Sequence, residues 1–302
     1  MASIHTVGAW PFSATLRDID RVIFHEWDER AAVGRGVFNV RESSQYQEDT
    51  LTAGGGGIFA QKLEGQPINY EANNEGFRTT FTHLDYGSGN RVTRNMLRDD
   101  LYATMEKLGV ELARRARATE ETILANHFNN GFDGNFTGGD GLELFSAAHV
   151  REDGSTYANE LSSVSDLSQT TLEQALIDFS DFRDGGGKRL AIEPKTLLVP
   201  KELRFEAYRL TNSSKSPEDD TNAANPLNGL LDVQLWQYLT DTDAWFILAD
   251  KGSHEMVLYD REEFWTDYEY DFDTKDYKIT GMFAQSSGWG DPRGVFGTPG
   301  VA

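Results

Sequence analysis

Gly185-Gly186-Gly187-Lys188 is the stretch whose residue types first invite a chemical reading, because glycine-rich turns ending in lysine cradle phosphates. The spacing excludes it. The phosphate-loop pattern needs a glycine where this chain has Phe182, and Ser or Thr where it has Arg189. The segment also follows a predicted helix rather than a strand, so it reads as a helix C-cap and turn. Ser146 and His149 lie three apart in LFSAAH, without the GxSxG elbow that exposes a nucleophilic serine. His5, His25, His83, His127, His149 and His254 are dispersed, and none falls in a metal-ligand spacing. His127, on a predicted helix, reads as a packed or hydrogen-bonding side chain. Asp267, Glu269, Asp271 and Asp273 form an acidic row, but it lacks the glycine and distal glutamate of a calcium loop. Its alternation is that of the solvated side of a strand. No catalytic, cofactor or metal site is expected, and the chain does not read as an enzyme.

Composition narrows the classes further. With 28 basic and 49 acidic side chains the formal net charge is -21. So acidic a chain is repelled by phosphate backbones and anionic membranes, which disfavours sequence-reading of nucleic acid and argues against a membrane partner. The chain has no cysteine, hence neither disulfides nor thiolate metal sites. No cationic leader with an apolar core and no long apolar run is present. At 302 residues the chain exceeds what one core usually holds, so two packed units with extended arms are expected.

The elements that must do the positioning begin with residues 1–45, which scatter Trp10, Phe12, Phe24, Trp27 and Phe38 without a period and read as an arm with a short helix at 16–27. Residues 46–92 form an extended, glycine-loosened loop. Gly54, Gly55, Gly56 and Gly57, then Gly87-Ser88-Gly89, bracket β-like runs at Ile58–Leu63 and Phe77–Leu84. Neither face of that hairpin is plainly apolar. Such a hairpin is marginal alone, and a neighbouring subunit would supply the missing surface. The four glycines would let the loop change direction.

A long helix follows from about Arg94 to Phe128, capped by Thr93. Leu97, Leu101, Met105, Leu108, Leu112, Ala116, Ile123 and Phe128 make one narrow apolar stripe. At 1.5 Å per residue it is on the order of 50 Å long. Further helices are predicted at Thr171–Arg183 and Lys201–Leu210, and a buried strand at Thr196–Val199. Two more strands, Val233–Leu239 and Trp245–Ala249, are separated by an Asp-Thr-Asp turn. Asn212–Gly229 is a polar loop. Phe264, Tyr268, Tyr270 and Phe272 alternate with polar residues into a hairpin that ends in a turn-rich tail.

This order of parts resembles the major capsid protein of tailed bacteriophages, whose fold is shared with encapsulin nanocompartments. GLELFSAAHVREDGSTYANEL at 141–161 and LEQALIDFSDFRDGGGKRLAIEPKTLLVPKELRFEAYRLTNS at 172–213 are similar to the Mu-type major head subunit branch, as is DFDTKDYKITGMFAQSSGWGDPRGVFGTPG at 271–300. The resemblance implies an α+β, HK97-like fold: an N-terminal arm (1–45), an extended hairpin loop (46–92) and a peripheral domain with the spine helix (93–165). An axial domain (166–250) and the returning strands of the peripheral domain (251–302) complete it.

It also implies a structural subunit that self-assembles as pentamers and hexamers into an icosahedral shell around double-stranded DNA, built in the host cytoplasm and resident in the virion. Scaffolding, portal and cement proteins are the expected partners, and no cofactor is implied. Met1 leads almost directly into the arm. Scaffolding is therefore a separate protein or a segment already removed, and the initiator Met favours the first. Candidate inter-subunit contacts are Trp10, Phe12, Gly54, Gly55, Gly56, Gly57, Ile58, Phe59, Lys62, Pro217, Asn225 and Pro226. The alternatives are an encapsulin shell and, from another class, a soluble acidic hydrolase using a carboxylate pair.

Overall fold

A computed structural model describes residues 21, 23–28, 32–52, 54–55, 59, 61–68, 70, 76–93, 95, 102–151, 153–216, 223–274 and 276–301, with the backbone alone over 102–106. The chain divides into two compact units. One takes residues 1–32, 83–121 and 260–285, and the other takes 33–82, 122–259 and 286–302.

The first unit packs a helix on a sheet. Strand β4 (Leu84–Val92) runs antiparallel to β11 (Tyr277–Trp289), with Tyr277 opposite Val92 and Gln285 opposite Leu84. Strand β10 (Met256–Tyr270) lies on the other side of β11, and β1 (Asn39–Glu42), which belongs to the second unit's residues, ends the strand order β1-β10-β11-β4. Leu108, Leu112 and Ala116 of the long helix α2 (Tyr102–Asn129) lie on its sheet-facing stripe, and Ala113 joins them. They meet Val92, Phe264, Ile279 and Phe283 from alternate positions of the strands. Residues 23–28 are helical and bring Ile23 and Trp27 into the same core. Trp27 stacks on Phe264 at 4.8 Å.

The second unit is built on the sheet β12-β9-β7-β8, where β7 is Pro194–Val199, β8 Asp232–Leu235, β9 Trp245–Ala249 and β12 Val295–Thr298. Both faces are covered, which explains the unbroken apolar run WFILA in β9. Phe246 and Leu248 pack with Phe38, Phe128, Phe145 and Trp236. Trp245, Ile247 and Ala249 pack on the opposite face, with Leu172, Ala175 and Phe179 of α3 (Gln169–Ser180) and with Ala207 and Leu210 of α4 (Arg204–Asn212). Ser168 caps α3 by accepting from the Thr171 N–H, and the Thr171 hydroxyl accepts from the Ser168 N–H at 2.9 Å. Helix α1 (Val33–Val37) leads into β1. A two-stranded ladder pairs β2 (Gln47–Leu51) with β3 (Arg78–Thr82), and β5 (His149–Val150) pairs with β6 (Thr156–Tyr157).

Several sequence expectations need correction. Among the run Ile58–Leu63, residues 59 and 61–63 are described and are not strand. Gly87-Ser88-Gly89 is no turn: it lies inside β4. Side chains there would press on the partner strand, since a Cβ on Gly89 would stand 2.9 Å from Thr280 Cγ2 and one on Gly87 3.1 Å from Met282 Cγ. The strand expected at 233–239 stops at Leu235, and it does not pair with β9. The two flank β7, with β8 parallel to β7 and β9 antiparallel. The C-terminal tail holds a fully buried strand, β12, recruited because β9 offers it an apolar edge. The third predicted helix starts at Arg204 rather than Lys201. The long helix is described from Tyr102 to Asn129, and the start of the predicted segment, at 94 and 96–101, lies outside the described residues.

Candidate assembly surfaces

The extended loop leaves the β2–β3 ladder through a clasp. The Thr52 N–H donates to the Phe77 carbonyl at 2.9 Å and its hydroxyl donates to the same oxygen at 3.0 Å. The Phe77 N–H in turn donates to the Thr52 hydroxyl at 2.6 Å. Lower in the stalk the Asp49 carboxylate takes bonds from Arg78 and from the Thr80 hydroxyl, which hold it below the usual carboxylate range. Past the clasp, Gly54 and Gly55 are half-buried. Phe59 is then fully exposed, Tyr70 is 88% exposed, and Leu63 and Ile68 are more than half exposed. Lys62 is exposed as well. Apolar side chains at this exposure, concentrated in one loop, lack a surface to cover.

Other apolar side chains stand out from regular elements. Phe205 on α4 is 81% exposed and Ile177 on α3 is 60% exposed, each pointing away from the face its helix buries. In the first unit Phe272, at the turn between β10 and β11, is 78% exposed. Sequence reasoning passed over Phe205 and Ile177. The signal was present in the periods, because Phe205 is two positions from Ala207 and therefore off the buried stripe.

The remaining candidates divide. Asn225 is buried and engaged inside the subunit, donating to the carbonyls of Leu210 at 2.6 Å and Ser213 at 2.9 Å and accepting from the Leu227 N–H. Pro226 beside it is exposed. Trp10, Phe12, Gly56, Gly57, Ile58 and Pro217 lie outside the described residues.

Groups able to do acid-base chemistry have structural partners. The His149 ring is buried, sharing a 2.6 Å bond with Asp140 and lying 3.3 Å from the Leu144 carbonyl. The Ser146 N–H donates to Asn159 Oδ1, whose amide donates back to Leu144. His127 bonds Ser287 at 2.8 Å between the rings of Phe38 and Trp289, and burial lowers its pKa to about 4. Burial pushes the Glu255 carboxyl up, with nearby Asp291 adding to the effect. Asp267 and Glu269 stand exposed on β10, but Asp271 and Asp273 lie beyond its end: Asp271 accepts from the N–H groups of Asp273 and Thr274 and pairs with Lys278, so the acidic row is part strand side and part turn. Among the described residues no group of three His, Cys, Asp or Glu converges on a metal position, and no helix is long and apolar enough to cross a membrane.

Residues 77–297 match the phage capsid protein family. The chain belongs to that family. Solved structures share its fold at low identity. The procapsid protein of bacteriophage JBD30 is 15% identical, covers 76% of this chain and 98% of its own, and superposes with a TM-score of 0.58. A phage-related protein from Bordetella bronchiseptica is 11% identical over 94% of this chain and 97% of its own, with a TM-score of 0.57. The capsid of a native GTA particle is 11% identical, covering 90% and 91%, with a TM-score of 0.55. No curated protein matches the chain by sequence. The fold is the mixed helix-and-sheet, HK97-like capsid fold. The chain is a structural major capsid protein of a tailed phage, resident in the virion shell, and the encapsulin alternative is not favoured. Homo-oligomeric capsomers follow from that membership.

Proposed function

We propose that the capsid protein assembles as pentamers and hexamers into a closed icosahedral shell around double-stranded DNA. Residues 46–92 act as the loop that reaches a neighbouring subunit, residues 93–165 and 251–302 as a peripheral domain, and 166–250 as an axial domain. The observation that carries this reading is the run of exposed apolar side chains from Phe59 to Tyr70, displayed on a stalk that is itself firmly hydrogen-bonded. Burial of such side chains between copies is favourable at roughly 25 cal/mol per Å² of apolar surface. Many weak contacts around a closed shell add through multivalency.

A net charge of -21 keeps the wall from gripping packaged phosphate, consistent with enclosure without sequence-specific binding. The same charge makes copies repel one another, so a scaffolding protein is the expected assembly partner, with portal and cement proteins completing the head. The reading includes no catalytic step: His127 bonds Ser287, His149 bonds Asp140, and the buried His254 accepts from the Met256 N–H.

Sedimentation of the purified chain, with and without lysate from infected cells, tests the proposal. Particles of shell mass in either condition support it. A subunit that stays monomeric in both contradicts it. Particles that carry a host enzyme instead of DNA would restore the encapsulin reading.

A further inference from the structure

We propose that the turn Asp184–Lys188 is a latch that sets the direction in which the extended loop leaves the subunit, with Asp184 as its positioning residue. The inference rests on the reading of residues 46–92 as a loop that reaches a neighbour.

The turn is held by hydrogen bonds of both its backbone and the Asp184 side chain. Arg183 and Arg189 bridge as an antiparallel pair at its base. The Asp184 N–H donates to the Lys188 carbonyl at 2.8 Å, and the Gly187 N–H donates back to the Asp184 carbonyl at 3.0 Å. One side-chain oxygen of Asp184 accepts from the N–H groups of Gly186 at 3.1 Å and Lys188 at 2.8 Å, and its other oxygen faces Lys188 Nζ at 3.3 Å. Asp184 itself is buried. A carboxylate holding two backbone donors organises a turn in the manner of an Asx-turn, here extended to a second donor.

The base of the loop is pressed against this turn. A Cβ on Gly55 would stand 2.5 Å from the Gly186 nitrogen and 2.6 Å from the Asp184 carboxyl carbon. No side chain fits there. Gly55 is therefore a close-packing glycine, and its φ lies outside the positive range that only glycine favours. That differs from the freely turning hinge inferred from four consecutive glycines. The loop base and the turn together border a cavity of about 350 Å³, lined by Gly54, Gly55, Asp184, Lys188, Leu190 and Glu255 among others. The loop base thus meets a hard stop at Gly186 and Asp184.

A stop at the base matters because the arm beyond it is long. The clasp residues Thr52 and Phe77 bound 24 intervening positions. Half that number, fully extended, reaches roughly 40 Å, so a tilt of about 15° at the base moves the tip about 10 Å. An error of that size takes a contact off its target.

The absence of native cysteine allows two spin labels to be placed cleanly, at Gln66→Cys in the loop and Gln174→Cys on α3, both in the second unit. Distances between them are measured in unassembled subunits, alongside melting and the yield of closed shells. Gly55→Ala is expected to shift or broaden the distance and cut shell yield while melting stays near that of the parent. Asp184→Ala should do the same. Asp184→Asn keeps the acceptor oxygen for Gly186 and Lys188, and should restore both distance and yield. An unchanged distance in Gly55→Ala overturns the latch. A changed distance with normal shells overturns its role in assembly. Should the parent protein fail to assemble yet show the Gly55-dependent shift, the fault lies in the shell-building reading and the latch stands.

Discussion

Thr52 and Phe77 hold each other at the point where the β2–β3 ladder ends, through three hydrogen bonds in which the Thr52 hydroxyl both donates and accepts. Thr52 is buried, so the hydroxyl has no water to fall back on. Replacing it with valine keeps the shape and removes two of the three bonds. The Phe77 N–H then loses a 2.6 Å acceptor. Thr52→Val is expected to cost about 1–3 kcal/mol locally. The sign to look for is faster proteolysis within residues 53–76, with little change in the global melting temperature.

Phe59→Ser makes the complementary prediction. The side chain is fully exposed, so the isolated subunit should melt as before. Shell yield should fall, because the loop loses an apolar contact with its neighbour. A drop in subunit stability with normal assembly would show that Phe59 serves its own subunit instead.

How much of this was legible in the sequence depends on where each element finds its partner. The helix at Tyr102–Asn129 and the strand at Trp245–Ala249 carry their signal locally, in a 3.6-residue stripe and an unbroken apolar run. Strand β12 does not. Val295 and Phe296 sit among glycine and proline, and only the edge of β9 makes them a strand. Gly87 and Gly89 misled for the same reason, since they answer to Thr280 and Met282 almost two hundred positions away. The loop glycines were recognised, but the cause at Gly55 is contact with Asp184 and Gly186, and no local pattern reveals it.

Arg117 anchors the segment at residues 23–28 to the long helix. Its guanidinium lies 3.6 Å over the Trp27 ring, donates to the Trp27 carbonyl at 2.8 Å and pairs with the buried Glu120. Arg117→Ala removes the stack and this cation from Glu120, and the expected loss is about 3–5 kcal/mol. Arg117→Lys keeps charge but not the planar fork, so it should recover only part. Chemical denaturation of the subunit measures both.

Acid should weaken the subunit. Burial lowers the pKa of His127 and of His254 from 6.5 to about 4, with Lys251 adding to the effect at His254. Between those values the unfolded chain binds more protons than the folded one. The stability is therefore complete above about pH 6.5 and is lost as pH falls toward 4, at a limit of about 3 kcal/mol for His127. Glu255, whose pKa is raised by burial, works in the opposite sense. Melting temperature against pH should flatten over this window in His127→Gln relative to the parent protein.

Ala191 is the one described non-glycine residue with positive φ, at 52°. The left-handed conformation costs an alanine roughly 1–2 kcal/mol. Glycine removes that cost while losing about 0.4–1 kcal/mol through the unfolded chain. Ala191→Gly should therefore be neutral or stabilising by up to about 1.6 kcal/mol, and Ala191→Val clearly destabilising, by thermal melting.

The central claim is that copies of this chain build a shell through the loop carrying Phe59. Cryo-electron microscopy of assembled particles tests it most directly. Closed icosahedral shells are expected, in which density for residues 53–76 lies on a neighbouring subunit, with Phe59 buried there. Shells in which that loop faces solvent, or subunits that never close into particles even with infected-cell lysate, would contradict it.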